Sequence, residues 1–160
     1  MDDFFQWLSD TQLAAAVREN AMLFPWMESL HVLALTVVVG SIAIVDLRLL
    51  GLASRNRPIS KLMKDVLPIT WVAFAGALTT GFMLFASQAN IYVENFYFQI
   101  KMLLLLLAGI NVLLFHTLTV RSVANWDAAA HIPVAAKTAG AISLLLWTFI
   151  VIAGRWIGFS

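Results

Sequence analysis

The sequence predicts an all-α fold, a polytopic membrane four-helix bundle with an N-terminal interfacial amphipathic helix. Three observations carry that expectation. Apolar residues make up 61% of the 160-residue chain and charged residues 12%, far outside the balance of soluble domains. The apolar residues gather in four blocks, 26–53, 67–88, 96–120 and 133–159, each long enough to cross a hydrocarbon core about 30 Å thick, which takes roughly 20 helical residues. Finally, the blocks are unbroken apolar runs without the alternation of a barrel strand, and lipid offers no partner to a free backbone amide, so each block is expected to be a helix. The whole chain, 1–160, reads as a single membrane domain.

Residues 2–20, "DDFFQWLSDTQLAAAVREN", are too polar to span, yet carry Phe4, Phe5, Trp7, Leu8 and Leu13. A helix lying in the membrane interface suits them, with Ser9 as the expected cap of a helix beginning at Asp10. An acidic start with no apolar core directly behind it argues against a cleaved secretion signal. The polar breaks "ASRNRPISK", "SQANIYVEN" and "NWDAAAHIP" separate the spans with turn-forming residues.

Orientation follows from the cations. Arg48, Arg55, Arg57, Lys61 and Lys64 crowd the end of the first span and its loop, and Arg121 and Lys137 flank the next loop on that side. Basic loops face the cytoplasm, which puts both termini outside; in a bacterial cell this means the inner membrane with periplasmic termini. The absence of cysteine removes disulfides, zinc thiolates, iron–sulfur clusters and thioether-linked haem. A net charge of +1 gives no reason to expect nucleic acid. The expected partner is the lipid bilayer, with a homo-oligomer or a larger membrane complex compatible with the small-residue helix faces.

The informative residues are the polar ones at membrane depth. Spans one and three run in the same direction, so levels compare directly. His31 and Lys101 lie just inside the outer boundary; Asp46 and His116 follow fifteen residues further along, roughly 22 Å deeper and within about 60° of the same helix face. Two polar layers are expected: an outer one of Glu28, His31, Lys101 and Arg155, and an inner one of Asp46, Arg48, His116 and Arg121. A neutral imidazole in a bundle is a good ligand for haem iron or copper, because one nitrogen offers a lone pair while the other donates to a partner that orients the ring. His31 and His116 are the candidate metal ligands; at their different depths they cannot share one iron. Each residue also has a structural reading: a hydrogen-bonded or snorkelling histidine, a helix-end ion pair for Asp46 and Arg48, a snorkelling Lys101, and an anchor role for Arg155 beside Trp156. His131, in a polar loop, is expected to be solvated.

The stretches "FPWMESLHVLALTVVVGSIAIVDLRLLGL" and "FQIKMLLLLLAGINVLLFH" resemble a family of uncharacterised bacterial four-span membrane proteins. They are less closely similar to the HemJ-type protoporphyrinogen oxidases and the CopD-type copper-resistance proteins. Those groups share a histidine early in the first span, matched by His31, and HemJ-type proteins have a lysine opening the third, matched by Lys101. The HemJ-type resemblance implies haem b held by the early histidine and, for the enzymes, oxidation of a porphyrinogen. The segment "DLRLLGLASRN" and the C-terminus "GRWIGFS" depart from the HemJ pattern and weaken the implied oxidase activity. The CopD-type resemblance implies copper, and Met27, four residues before His31, adds a thioether on the same face.

Three functions stay open from sequence. One is a haem b redox protein, with His31 as axial ligand, His116 as a second-site ligand oriented by Asp46, and Lys101 and Arg155 pairing with propionates or a quinone oxygen. The others are a copper-handling protein at Met27 and His31, and a cofactor-free structural or assembly subunit. No hydrolase triad or phosphate loop appears, and four spans without broken helices do not suggest an ordinary secondary transporter.

Overall fold

A computed structural model of the chain describes residues 2–119, 123–127 and 132–159, apart from the side chains of residues 2, 119, 124 and 125. Arg121 and His131 therefore lie outside the described residues. The spans are α3 (Leu23–Leu49), α4 (Ile59–Ser87), α6 (Phe96–Leu114, continued by a π turn at Phe115–Thr119) and α8 (Val134–Trp156, ending in a 3₁₀ turn at Ile157–Phe159). Short helices α1 (Asp2–Ser9), α2 (Gln12–Glu19), α5 (Ala89–Glu94) and α7 (Val123–Trp126) complete the chain. All four long helices are long and apolar enough to cross a membrane, and no strand occurs among the described residues.

α3 packs along α4 on one side and α8 on the other, and α8 packs along α6. The order across the bundle is thus α4, α3, α8, α6. Backbones of α4 and α6 hardly approach each other; at one end Phe85 and Phe98 bridge them, their rings stacked with centroids 5.3 Å apart. That end carries α1, α2 and α5, together with the close of α8, and is the terminal end; the opposite, loop end carries the α3–α4 loop and α7.

α4 begins eight residues before the apolar block that predicts it. Its first two turns are amphipathic: Ile59, Leu62 and Met63 are buried while Lys61, Lys64 and Asp65 are exposed. Ile59 and Met63 join Leu49, Phe115, Trp126 and Ala136 in the loop-end core, so packing extends a helix that hydropathy alone would end. The preceding turn needs a left-handed residue at Gly51, where φ is 74°.

Pro58 precedes α4 and offers no side-chain cap. Asp127 supplies one from the far loop, accepting from the Ser60 backbone N–H at 2.8 Å and from the Ser60 hydroxyl. Desolvation pushes the Asp127 carboxyl up, but these bonds, the Ile59 N–H and the Arg48 charge hold it below the ordinary carboxylate range.

The N-terminal segment is two helices, not one. Thr11, not Ser9, caps the second, accepting from the Ala14 N–H at 3.4 Å. Ser9 instead accepts the buried Ala89 N–H at 3.2 Å, eighty residues away, because the chain end folds back over the α4–α5 junction. Arg18 fastens the same junction, donating to the Ser9 and Ser87 carbonyls at 3.0 and 3.3 Å. Ala14 and Val17 face the bundle, leaving Phe4, Trp7 and Leu13 exposed on a surface suited to the lipid interface.

Removing the Asp127 cap by Asp127→Ala should lower stability by roughly 1 kcal/mol at neutral pH. Because the folded carboxyl titrates below its unfolded value, that stabilisation is present above the ordinary carboxylate range and is lost as pH falls through the folded value. Denaturant unfolding of both proteins in micelles should show a gap that closes on acidification; an equal gap at all pH values would contradict the capping account.

Candidate functional site

His31 lies in the terminal third of α3 and turns its ring toward α4. Its Nδ1 is 2.9 Å from the Ala77 carbonyl and 3.1 Å from the Thr80 hydroxyl oxygen. A carbonyl only accepts, so the proton sits on Nδ1; the Thr80 hydroxyl spends its own hydrogen on the Gly76 carbonyl at 2.7 Å and so also accepts. In the neutral ring Nε2 then keeps the lone pair, and it makes no hydrogen bond among the described residues. The ring fits only because position 81 is glycine: a methyl group there would stand 2.8 Å from His31 Cε1 and 3.2 Å from Nδ1.

Lys101 enters from the other side of the bundle. It is partly buried, its Nζ lies over Gly154, 3.5 Å from where a methyl group would stand, and its charge acts on His31. The ammonium makes no hydrogen bond or ion pair among the described residues.

Of the expected outer layer, Lys101 is near enough to His31 for its charge to act on the imidazole. Arg155 does not join them: it is exposed, with its guanidinium 4.6 Å above the Phe159 ring centroid. Glu28 is also exposed. Burial, and then the Glu28 charge, push the nearby Tyr92 hydroxyl up from its ordinary value. Met27 is half-buried and makes no polar contact with His31.

The expected inner layer separates into three environments. Asp46 is buried against α8, where the Ser143 hydroxyl bonds its carboxyl. Arg48 is buried too, but donates from Nε to the Arg57 carbonyl at 2.9 Å and acts on Asp127, so the expected helix-end pair with Asp46 is not formed. His116 is exposed, its Nδ1 3.0 Å from the Val112 carbonyl of its own helix. Asp46 therefore does not orient it. α6 is a regular α-helix as far as Leu114, and fifteen residues at about 100° each leave His116 roughly 60° round the helix from Lys101, an offset that already takes it off a shared face.

Neither Gly81 nor Ser143 stands out in the sequence as a site residue. The available signal for Gly81 is weak, a glycine in a helix that needs no turn. Among the described residues no cluster of three His, Cys, Asp or Glu side chains could hold a metal.

Residues 4–160 match the family of unknown function DUF6644. The chain belongs to this family. The match covers both short N-terminal helices and all four spans, so the bundle described here is the family's domain in this chain. No curated protein and no solved structure matches it.

Gly81→Ala should displace the His31 ring and lower stability by about 1–3 kcal/mol, the usual range for overpacking. Nitrogen NMR of labelled histidine should report an Nδ1–H, Nε2-bare ring in the metal-free wild type and its loss in metal-free Gly81→Ala; an unchanged ring signal would show that Gly81 does not set the geometry.

Proposed function

We propose that this protein binds haem b through His31 Nε2 and works in membrane electron transfer. The observation that carries the reading is the His31 ring itself. Its Nδ1–H donates to the Ala77 carbonyl, which fixes both tautomer and ring plane and leaves Nε2 as a metal-ready donor, the arrangement typical of ligating histidines. Haem suits this donor set better than a bare ion, because one protein nitrogen completes a coordination sphere that the porphyrin otherwise fills.

Lys101 adds the second feature a haem site needs. A partly buried ammonium without a hydrogen bond or ion pair among the described residues, its charge acting on the imidazole, is matched to a propionate carboxylate or, in a quinone-linked protein, to a quinone oxygen. Bound haem would supply one-electron exchange between ferric and ferrous iron. The chain's own residues hold and orient: His31 donates the nitrogen, Ala77 and Thr80 keep its ring in place, and Lys101 counters negative charge. The resemblance to HemJ-type proteins at His31 and Lys101 supports this reading. Arg155 and His116, exposed as they are, have no part in it. The basic α3–α4 loop favours a bacterial inner-membrane setting with both termini periplasmic.

The test is an absorption spectrum of the purified full chain, oxidised and dithionite-reduced, after expression with ample haem and with metal analysis on the same sample. The expected result is a Soret band with reduced α-bands that His31→Ala abolishes and His116→Ala leaves intact. A colourless, metal-free wild type would overturn the reading. Copper without a porphyrin spectrum, lost in Met27→Ala and His31→Ala, would replace haem by a thioether–imidazole copper site.

A further inference from the structure

Asp46 stands in a position that the haem reading does not use. It lies on the last full turn of a membrane-spanning helix, is 5% exposed, and packs where α3 and α8 come closest. A methyl group at Gly140 would be 3.2 Å from the Asp46 carbonyl oxygen. Ser143 bonds the carboxyl, yet Oδ2 is fully buried and has no hydrogen-bond partner among the described residues.

No positive charge faces this carboxyl among the described residues. On its own helix, Arg48 points to the Arg57 carbonyl and to Asp127, as residues two apart on a helix must diverge. From α8, Lys137 is exposed and one turn before Gly140. From α4, Lys64 and Asp65 are exposed, while Thr70 is bonded to Ser41 and to the Val66 carbonyl. From the α6 side, Asn111 donates to the Ala139 carbonyl and His116 is exposed, and Asp127 of α7 is held by Ser60. An ionised carboxylate here would be buried, short of hydrogen bonds, and close to the negative end of the α3 dipole. The donor set is also too poor for a metal ion: one carboxyl and one hydroxyl, where hard cations take six or more oxygens.

We propose that Asp46 and Ser143 form a proton-binding site inside the bundle, in which Asp46 carries its proton as a neutral carboxylic acid at neutral pH and exchanges it with the loop end. The balance is simple: one proton is taken up or released per chain, and no bond other than O–H forms or breaks. The Ser143 hydroxyl donates to the carboxyl and keeps it turned toward α8. The site lies apart from His31, so the inference holds whether or not haem is bound.

Infrared spectroscopy of the full chain in lipid vesicles tests it directly, because a protonated carboxyl has a C=O stretch distinct from carboxylate and amide bands. At neutral pH the wild type should show this band, sensitive to deuterium exchange and to carbon-13 labelling of aspartate. Asp46→Asn should remove it. Ser143→Ala, which keeps the acid but deletes its hydrogen bond, should move it to higher frequency. Absence of the band in folded wild type at neutral pH would overturn the proposal, as would a band that neither variant alters. A band that disappears on adding sodium at constant pH would also overturn it, by making the site one for a metal cation. Loss of the haem spectrum in the previous experiment would leave all of these outcomes untouched.

Discussion

Hydrocarbon gives a polar group no partner outside the protein, and that single constraint organises the structure. Isolated hydroxyls satisfy it within their own helix: Thr36, Thr79, Thr117 and Thr148 each donate to the carbonyl four residues back. The polar groups that instead reach a neighbouring helix are few, and they sit one or two to a seam. His31 to Ala77 and Thr70 to Ser41 tie α3 to α4; Asp46 to Ser143 ties α3 to α8; Asn111 to Ala139 ties α6 to α8. Such bonds contribute only about 0.6 kcal/mol each. Their weight is in register, since each can form at only one sliding position of its pair. The α4–α6 side, where the backbones stand apart, has no such bond among the described residues.

Close approach of the backbones makes these bonds reachable. Gly81 admits the His31 ring, and Gly140 lets α8 touch the α3 backbone at Asp46. Small residues thus do more than fill seams. They decide which polar side chains face protein and which face lipid. The two ends are then sealed by segments outside the spans, with α1 and α2 bonded across the α4–α5 junction and the Asp127 carboxylate bonded to the start of α4.

The four spans were legible because hydropathy is a property of local sequence, and the membrane acts on it directly. Helix ends were less so: α4 starts at Ile59 since Ile59 and Met63 bury against Phe115 and Trp126, and that contact lies between distant residues. The common level of His31 and Lys101 follows from depth and helical phase, two quantities a sequence encodes, and the Lys101 charge acts on His31. Extrapolation to His116 failed because an offset of about 60° was read as the same face, and in the bundle that offset leaves the ring exposed. Ser9 looked like a local cap, yet its hydroxyl serves Ala89. Ser143 and Gly81 stayed hidden for the same reason, since their roles exist only once two helices are face to face.

His31 and Asp46 share α3 but stand fifteen residues apart, roughly 22 Å along the helix. At an effective dielectric of about 20, two unit charges at that separation interact by roughly 0.8 kcal/mol, equivalent to about a fourfold change in a binding constant. A charge gained at the terminal end therefore biases proton occupancy at the loop end only weakly. Strong coupling would need a structural carrier, and α3 is the helix placed to be one: its seam with α4 holds the His31 ring through Ala77 and Thr80, and its seam with α8 holds Asp46 through Ser143. A shift of α3 along its axis would strain both sets of contacts together. Absent such a shift, the two ends behave as nearly independent sites joined by one rigid helix.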